Sequence, residues 1–152
     1  LTLAVKEPIG VLAIILNDDY PLLSLITTLG ANFAAGNAYI IVPGQNTSLL
    51  ATELYQLLET SDVLAGSINI LTTKQNSLNK ILSEHENIDG IWFFSENNNE
   101  RLKVIQSTTS NLKRTWCPQS KNLDWSSKEK DFLEEFLYQS TQVKNIWIPY
   151  GE

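Results

Sequence analysis

Ile9-Gly10-Val11-Leu12-Ala13-Ile14-Ile15-Leu16 is an unbroken aliphatic and β-branched run, closed by Asn17-Asp18-Asp19-Tyr20-Pro21. A run without polar alternation suits a strand buried on both faces, as the strands of parallel sheets are. The five residues after it read as a turn and a helix start, with Asp and then Pro where an N-cap and a first helical position want them. The helix is expected to run to about Ala35 and to stop at Gly36-Asn37, a left-handed C-cap. Outward from this unit the pattern repeats. Strands are expected at Tyr39 to Val42, Ser67 to Leu71, Ile91 to Phe94 and Leu112 to Trp116, with a closing strand from Gln142 to Pro149. Helices fall between them: one capped by Asn46, Thr47 or Ser48 and running to about Thr60, one from Ser77 to about Glu84, one from about Glu100 to Ser107, and a last one capped by Ser126 or Ser127. Strand and helix in series predict an α/β fold with an open, mostly parallel sheet and helices on both faces. No internal repeat and no linker-like stretch divides the chain.

At 152 residues one domain with a sizeable core is expected. Eleven Lys and Arg against seventeen Asp and Glu give a net charge of −6. That balance argues against nucleic acid or an anionic membrane as a partner. The single Cys117 excludes an internal disulfide and a Cys-based zinc site, and the single His85 excludes a multi-histidine metal site. No apolar run reaches a membrane span and no signal peptide is visible, so a cytoplasmic location is expected. The sequence contains no Met, which points to a processed chain, a fragment or an expressed piece of something longer.

In a doubly wound sheet, ligands bind at the carboxyl ends of the strands. Asp18 and Asp19 follow the first strand. Helix capping is preferred for them over Mg²⁺ binding, which normally recruits further ligands or phosphates. Pro43-Gly44-Gln45-Asn46-Thr47 follows the second strand and reads as a turn, with no Lys or Arg beside it to help hold an anion. Ser95-Glu96-Asn97-Asn98-Asn99-Glu100 follows the fourth. It lacks the glycines that let backbone approach a pyrophosphate, and it carries two carboxylates. Cys117 reads as a structural thiol, although Lys113 and Arg114 lie close in sequence. His85 reads as a helix-end residue.

These segments also resemble the cofactor domain of aldehyde dehydrogenases. The likeness is carried by Glu7-Pro8-Ile9-Gly10-Val11, Asp19-Tyr20-Pro21-Leu22 and Ala34-Ala35-Gly36-Asn37, then by Leu64-Ala65-Gly66-Ser67-Ile68-Asn69-Ile70 and His85-Glu86-Asn87-Ile88-Asp89. It resumes at Asn111-Leu112-Lys113-Arg114 and Asn122-Leu123-Asp124-Trp125, spanning roughly residues 7–137. The resemblance implies a Rossmann-type nucleotide domain over 9–140. It also implies oligomerisation-type strands at 1–8 and 141–152, where Leu3, Val5, Ile146, Trp147 and Ile148 are the interface candidates.

The departures from the family pattern fall on its chemical positions. The Asn that holds the oxyanion corresponds to Asp19, and a carboxylate there repels developing negative charge. The ribose-binding Lys corresponds to Val42 and its partner Glu to Gln45. Two glycines of the phosphate loop correspond to Ser95 and Glu100. The general-base Glu falls near Pro118. The catalytic Cys is expected just after the last helix, where the chain reads Gln139-Ser140-Thr141-Gln142. The pattern is similar to the degenerate C-terminal module of two-module family-16 aldehyde dehydrogenases. It implies a non-catalytic module without cofactor, metal or catalytic residues, acting in oligomerisation, scaffolding or partner docking. The expected partners are a second copy or an adjacent aldehyde dehydrogenase module of the same protein. Two alternatives stay open. One is an NAD(P)-binding portion of an oxidoreductase whose catalytic groups lie elsewhere. The other is an unrelated flavodoxin-like receiver using Asp18 and Asp19 for Mg²⁺. The terminal strands have their own alternative, completing the main sheet.

Overall fold

The Ile9 to Leu16 run becomes the centre of the sheet in the computed structural model, which describes residues 1–149. Tyr150 to Glu152, the end of the expected C-terminal strand segment, lie outside the described residues. Among the described residues, seven strands and five α-helices follow in the order β1 (Thr2–Pro8), β2 (Val11–Ile15), α1 (Pro21–Ala35), β3 (Ala38–Val42), α2 (Ser48–Glu59), β4 (Ile68–Ile70), α3 (Gln75–Glu84), β5 (Gly90–Phe93), α4 (Asn98–Thr108), β6 (Arg114–Trp116), α5 (Lys130–Gln139) and β7 (Thr141–Trp147).

Five strands form one parallel sheet in the order β4-β3-β2-β5-β6. β2 pairs with β3 on one side and β5 on the other, so the order reverses at β2. This is the open, doubly wound arrangement predicted. Side chains of β2 alternate between two cores. Leu12, Ile14 and Leu16 pack with Leu25 and Leu29 of α1 and Phe136 of α5. Ala13 and Ile15 pack with Leu82 of α3 and Val104 of α4. Burial on both faces is why the run could be uniformly apolar.

The end of α1 follows the sequence closely. Gly36 takes φ 82°, the Gly36 N–H bonds the Phe33 carbonyl at 3.1 Å, and the Asn37 N–H bonds the Asn32 carbonyl at 3.1 Å. The helix starts are less regular, and three expected caps are absent. Neither Asp18 nor Asp19 caps α1. The N-cap position is Tyr20, held at φ 48°, and Pro21 opens the helix. A 3₁₀ turn over Gln45–Thr47 precedes α2, and the Thr47 hydroxyl donates to the Gly44 carbonyl instead of capping. Ser126 and Ser127 stay outside α5: Asp124 takes the Ser126 N–H and hydroxyl, forming a local turn. Asp19, Thr47 and Ser126 found partners on their own loops and Asp18 found Asn46 on the neighbouring one, and these bonds compete with capping. β6 is shorter than expected because Leu112, at φ 55° and 92% exposed, ends a 3₁₀ turn and cannot join the ladder.

β1 and β7 do not join the parallel sheet. They form a separate antiparallel ribbon with Leu3 opposite Ile146 and Thr2 opposite Trp147. The alternative in which the termini complete the main sheet is therefore overturned. Leu3, Val5, Trp147 and Ile148 are exposed on the ribbon, Trp147 to 79%, while Ile146 is half-buried.

Candidate functional site

The carboxyl ends of the parallel strands bring together the loops that follow β2, β3, β4, β5 and β6. Much of that edge is closed by the chain's own side chains. Between β2 and β3, Asp18 accepts from the Asn46 N–H at 2.9 Å and from Asn46 Nδ2 at 3.1 Å. Gly44 sits against the same residue. A Cβ there would lie 2.3 Å from Asp18 Oδ1 and 2.7 Å from the Asn17 carbonyl, so glycine is required by contact. Gln75, at the start of α3, donates from Nε2 to the Leu16 carbonyl and, at 3.0 Å, to the Pro43 carbonyl. Both Asp18 oxygens are thus engaged by protein donors, and the described residues hold no group of three metal-ligating side chains.

Between β5 and β6 the closure is different. Arg101 of α4 donates through Nε at 2.9 Å and Nη2 at 2.7 Å to the Cys117 carbonyl. Glu96 accepts from the Lys121 N–H at 2.5 Å and lies 3.3 Å from Lys121 Nζ. The loop after β5 and the loop after β6 are therefore tied at two points.

The N-terminus of α4 decides what this edge can hold. Helix N-termini bind phosphate through amides left without intrahelical partners. Here Asn97 Oδ1 accepts from the Asn99 N–H at 3.0 Å and the Glu100 N–H at 3.4 Å. Ser95 Oγ accepts from the Asn97 N–H at 3.1 Å and lies 3.4 Å from a Glu100 carboxylate oxygen. The Asn97, Asn99 and Glu100 amides are already satisfied, and carboxylates from Glu96 and Glu100 flank them. A dinucleotide pyrophosphate does not fit this donor set: it would have to displace Asn97 and approach two like charges. The Asn97-x-x-Glu100 spacing is a capping signal readable in sequence.

The sequence-derived positions divide by location. Val42 is fully buried in the core beneath α3 and α4. Asp19 is held by Asn17 Nδ2 at 2.5 Å. Ser95 and Glu100 meet, as described. No hydrogen bond among the described residues joins Asp19, Gln45 or Pro118 to one another or to Ser95. His85 lies at the opposite edge of the sheet, ahead of β5, where its Nδ1 accepts from the Asn87 N–H and its carbonyl accepts from Lys113. It cannot serve the carboxyl edge. Cys117 does lie at that edge but is half-buried, packed against the core beneath α3 and α4. Burial pushes its thiol up to about 11, and the weaker attraction of Arg101 does not offset this. Lys113 and Arg114, its neighbours in sequence, reach away to His85 and to Thr141.

Sequence reasoning missed one cation. Lys74, from the loop after β4, lines a groove of about 420 Å³ with Pro43, Gln45, Ser48, Thr52 and Thr72. A residue thirty positions away was brought there by strand pairing, so no local signal announced it. A larger groove of about 940 Å³ runs between α3 and α4 and mixes Lys80 and Lys103 with Glu84 and Glu100.

A family model for the aldehyde dehydrogenase family matches residues 1–118. The chain is 33% identical over 116 residues to the NADP/NAD-dependent aldehyde dehydrogenase PuuC of Escherichia coli, covering 76% of this chain and 23% of that protein. It is 34% identical over 114 residues to the human mitochondrial 10-formyltetrahydrofolate dehydrogenase, covering 75% of this chain and 12% of that one. Among solved structures, the aldehyde dehydrogenase KauB of Pseudomonas aeruginosa superposes with a TM-score of 0.73 at 28% identity, over 78% of this chain and 24% of its own. PnpE of Pseudomonas sp. WBC-3 gives 0.72 at 26%, over 78% and 24%. The chain spans less than a quarter of the length of each of these proteins. The family match ends at Pro118, so α5 and β7 lie beyond it.

Proposed function

The chain belongs to the aldehyde dehydrogenase family, and from that premise we propose that it is a non-catalytic module of it, similar to a degenerate C-terminal module, whose role is assembly. The observation that carries this reading is the self-satisfied N-terminus of α4, where Asn97 and Ser95 hold the amides and Glu96 and Glu100 supply the charge. The positions of Asp19, Val42, Gln45 and Pro118 add to it, since none presents an oxyanion donor, a ribose-binding cation or a general base. Calorimetric titration with NAD⁺, NADH and NADP⁺ tests it. No saturable heat at micromolar concentration is expected; micromolar affinity for any of the three contradicts the reading.

The docking element of this module is the β1–β7 ribbon. An isolated two-stranded ribbon is marginal in water. This one nevertheless exposes Leu1, Leu3, Val5 and Ile148 on a single face and leaves both outer edges unpaired within the described chain. A second copy of the chain, adding a strand to an open edge and covering that face, supplies both missing interactions. An adjacent aldehyde dehydrogenase module is the other occupant, distinguished by a monomeric isolated chain that binds such a module.

A second reading is favoured by the Lys74 groove. Hydroxyls of Ser48, Thr52 and Thr72 beside one ammonium group could hold the sugar and phosphate of a nucleotide even with the α4 terminus closed. The chain would then be an NAD(P)-binding portion of an oxidoreductase that turns an aldehyde into a carboxylic acid, with its catalytic groups elsewhere. The same titration separates the two readings, and Lys74→Ala abolishing a measured affinity would establish the second.

A further inference from the structure

Both legs of the β1–β7 ribbon leave the body at one point, and a single buried side chain touches both. Asn37 Oδ1 accepts from the Gly10 N–H at 3.0 Å, where the chain passes from β1 into β2. Asn37 Nδ2 donates to the Ser140 carbonyl at 2.8 Å, where α5 passes into β7, and to Asn32 Oδ1 at 3.2 Å. The partners lie 27 and 103 residues away in sequence. Asn37 and Ser140 are both buried, so these bonds are not exchanged for water.

Arg114, at the start of β6, grips the same leg from the other side. Its Nη1 donates to the Thr141 carbonyl at 2.6 Å, and its Nη2 donates to the Tyr138 carbonyl at 3.1 Å and to Gln139 Oε1 at 3.5 Å. The guanidinium lies 5.3 Å from the centroid of the Tyr138 ring. The guanidinium thus engages the last turn of α5 and the first residue of β7 together. A planar fork with several donors fixes direction as well as distance, which an ammonium group does not.

We propose that Asn37 and Arg114 are positioning residues that set the direction in which the ribbon leaves the sheet, and so the angle at which it meets a partner. The consequence for the partner rests on the assembly reading above; the clamp itself does not. A ribbon joined to the body only by its two chain crossings would swing about Gly10 and Ser140. The two side chains replace that hinge with a fixed joint.

Amide hydrogen exchange followed by mass spectrometry, on the full chain and its Arg114→Ala and Arg114→Lys variants, tests this alongside sedimentation. In Arg114→Ala, amides of β1 and β7 are expected to exchange about tenfold faster, while β2, β3 and β5 keep their protection. Arg114→Lys retains the charge but not the fork, so its ribbon should exchange nearly as fast. It also serves if the alanine variant fails to fold. Unchanged ribbon exchange in the folded variants overturns the clamp, whatever the assembly state. Faster ribbon exchange in a chain that is monomeric from the start sustains the clamp and removes the assembly reading. Faster exchange with weakened association supports both.

Discussion

Cys117 follows β6 directly, between the aromatic Trp116 and Pro118, and its surroundings settle its chemistry. It packs against the core beneath α3 and α4, and burial raises its thiol from the usual 9 to about 11. The native state therefore favours the protonated form more than the unfolded chain does. Its contribution to stability is fully present below pH 9 and is lost as pH climbs towards 11. Because the thiolate is the nucleophile, iodoacetamide at pH 8 should label native Cys117 slowly and the urea-unfolded chain rapidly, read as a mass shift. Rapid native labelling would mean the thiol is exposed and activated. Val42 makes the same point without titration. A cation could not be put at its fully buried position without reorganising the core.

Phe136 on α5 shows how one element is secured to the sheet. Its ring lies 5.0 Å from Trp116, 5.8 Å from Trp92, 5.5 Å from Trp125 and 5.0 Å from Phe132. This aromatic layer joins α5 to β5 and β6, and α5 carries β7 behind it. Phe136→Ala leaves a large cavity in that layer and is expected to cost about 3–5 kcal/mol, measured by urea unfolding. A loss below about 1 kcal/mol would mean that α5 is not seated there. Much of α5 was readable from its apolar spacing, which puts Phe132, Phe136 and Leu137 on one side; Phe132 and Phe136 do pack on the core, whereas Leu137 is exposed. The first residue of α5 was not readable, because Asp124 drew Ser126 into a turn and left Glu129 before the helix without a capping bond.

The whole molecule is a parallel sheet with a detached ribbon, and its assembly is tested on the ribbon. Leu3→Asp combined with Ile148→Asp places two charges on one exposed face without touching the core. Sedimentation velocity should then show loss of the associated species, as should truncation after Ser140. An unchanged assembly state in both would count against ribbon docking. Uniform apolarity from Ile9 to Leu16 was enough to dictate a central parallel strand, because only a position covered on both sides tolerates such a run. Gly36 and the strand-helix alternation likewise fixed most elements, since capping and periodicity act over a few residues. Lys74 beside Gln45, Gln75 across two strand ends, Asp18 on Asn46 and Asn37 between Gly10 and Ser140 were decided only on folding. Each joins residues far apart in the chain, and such pairings exist only once strand order has placed their loops side by side.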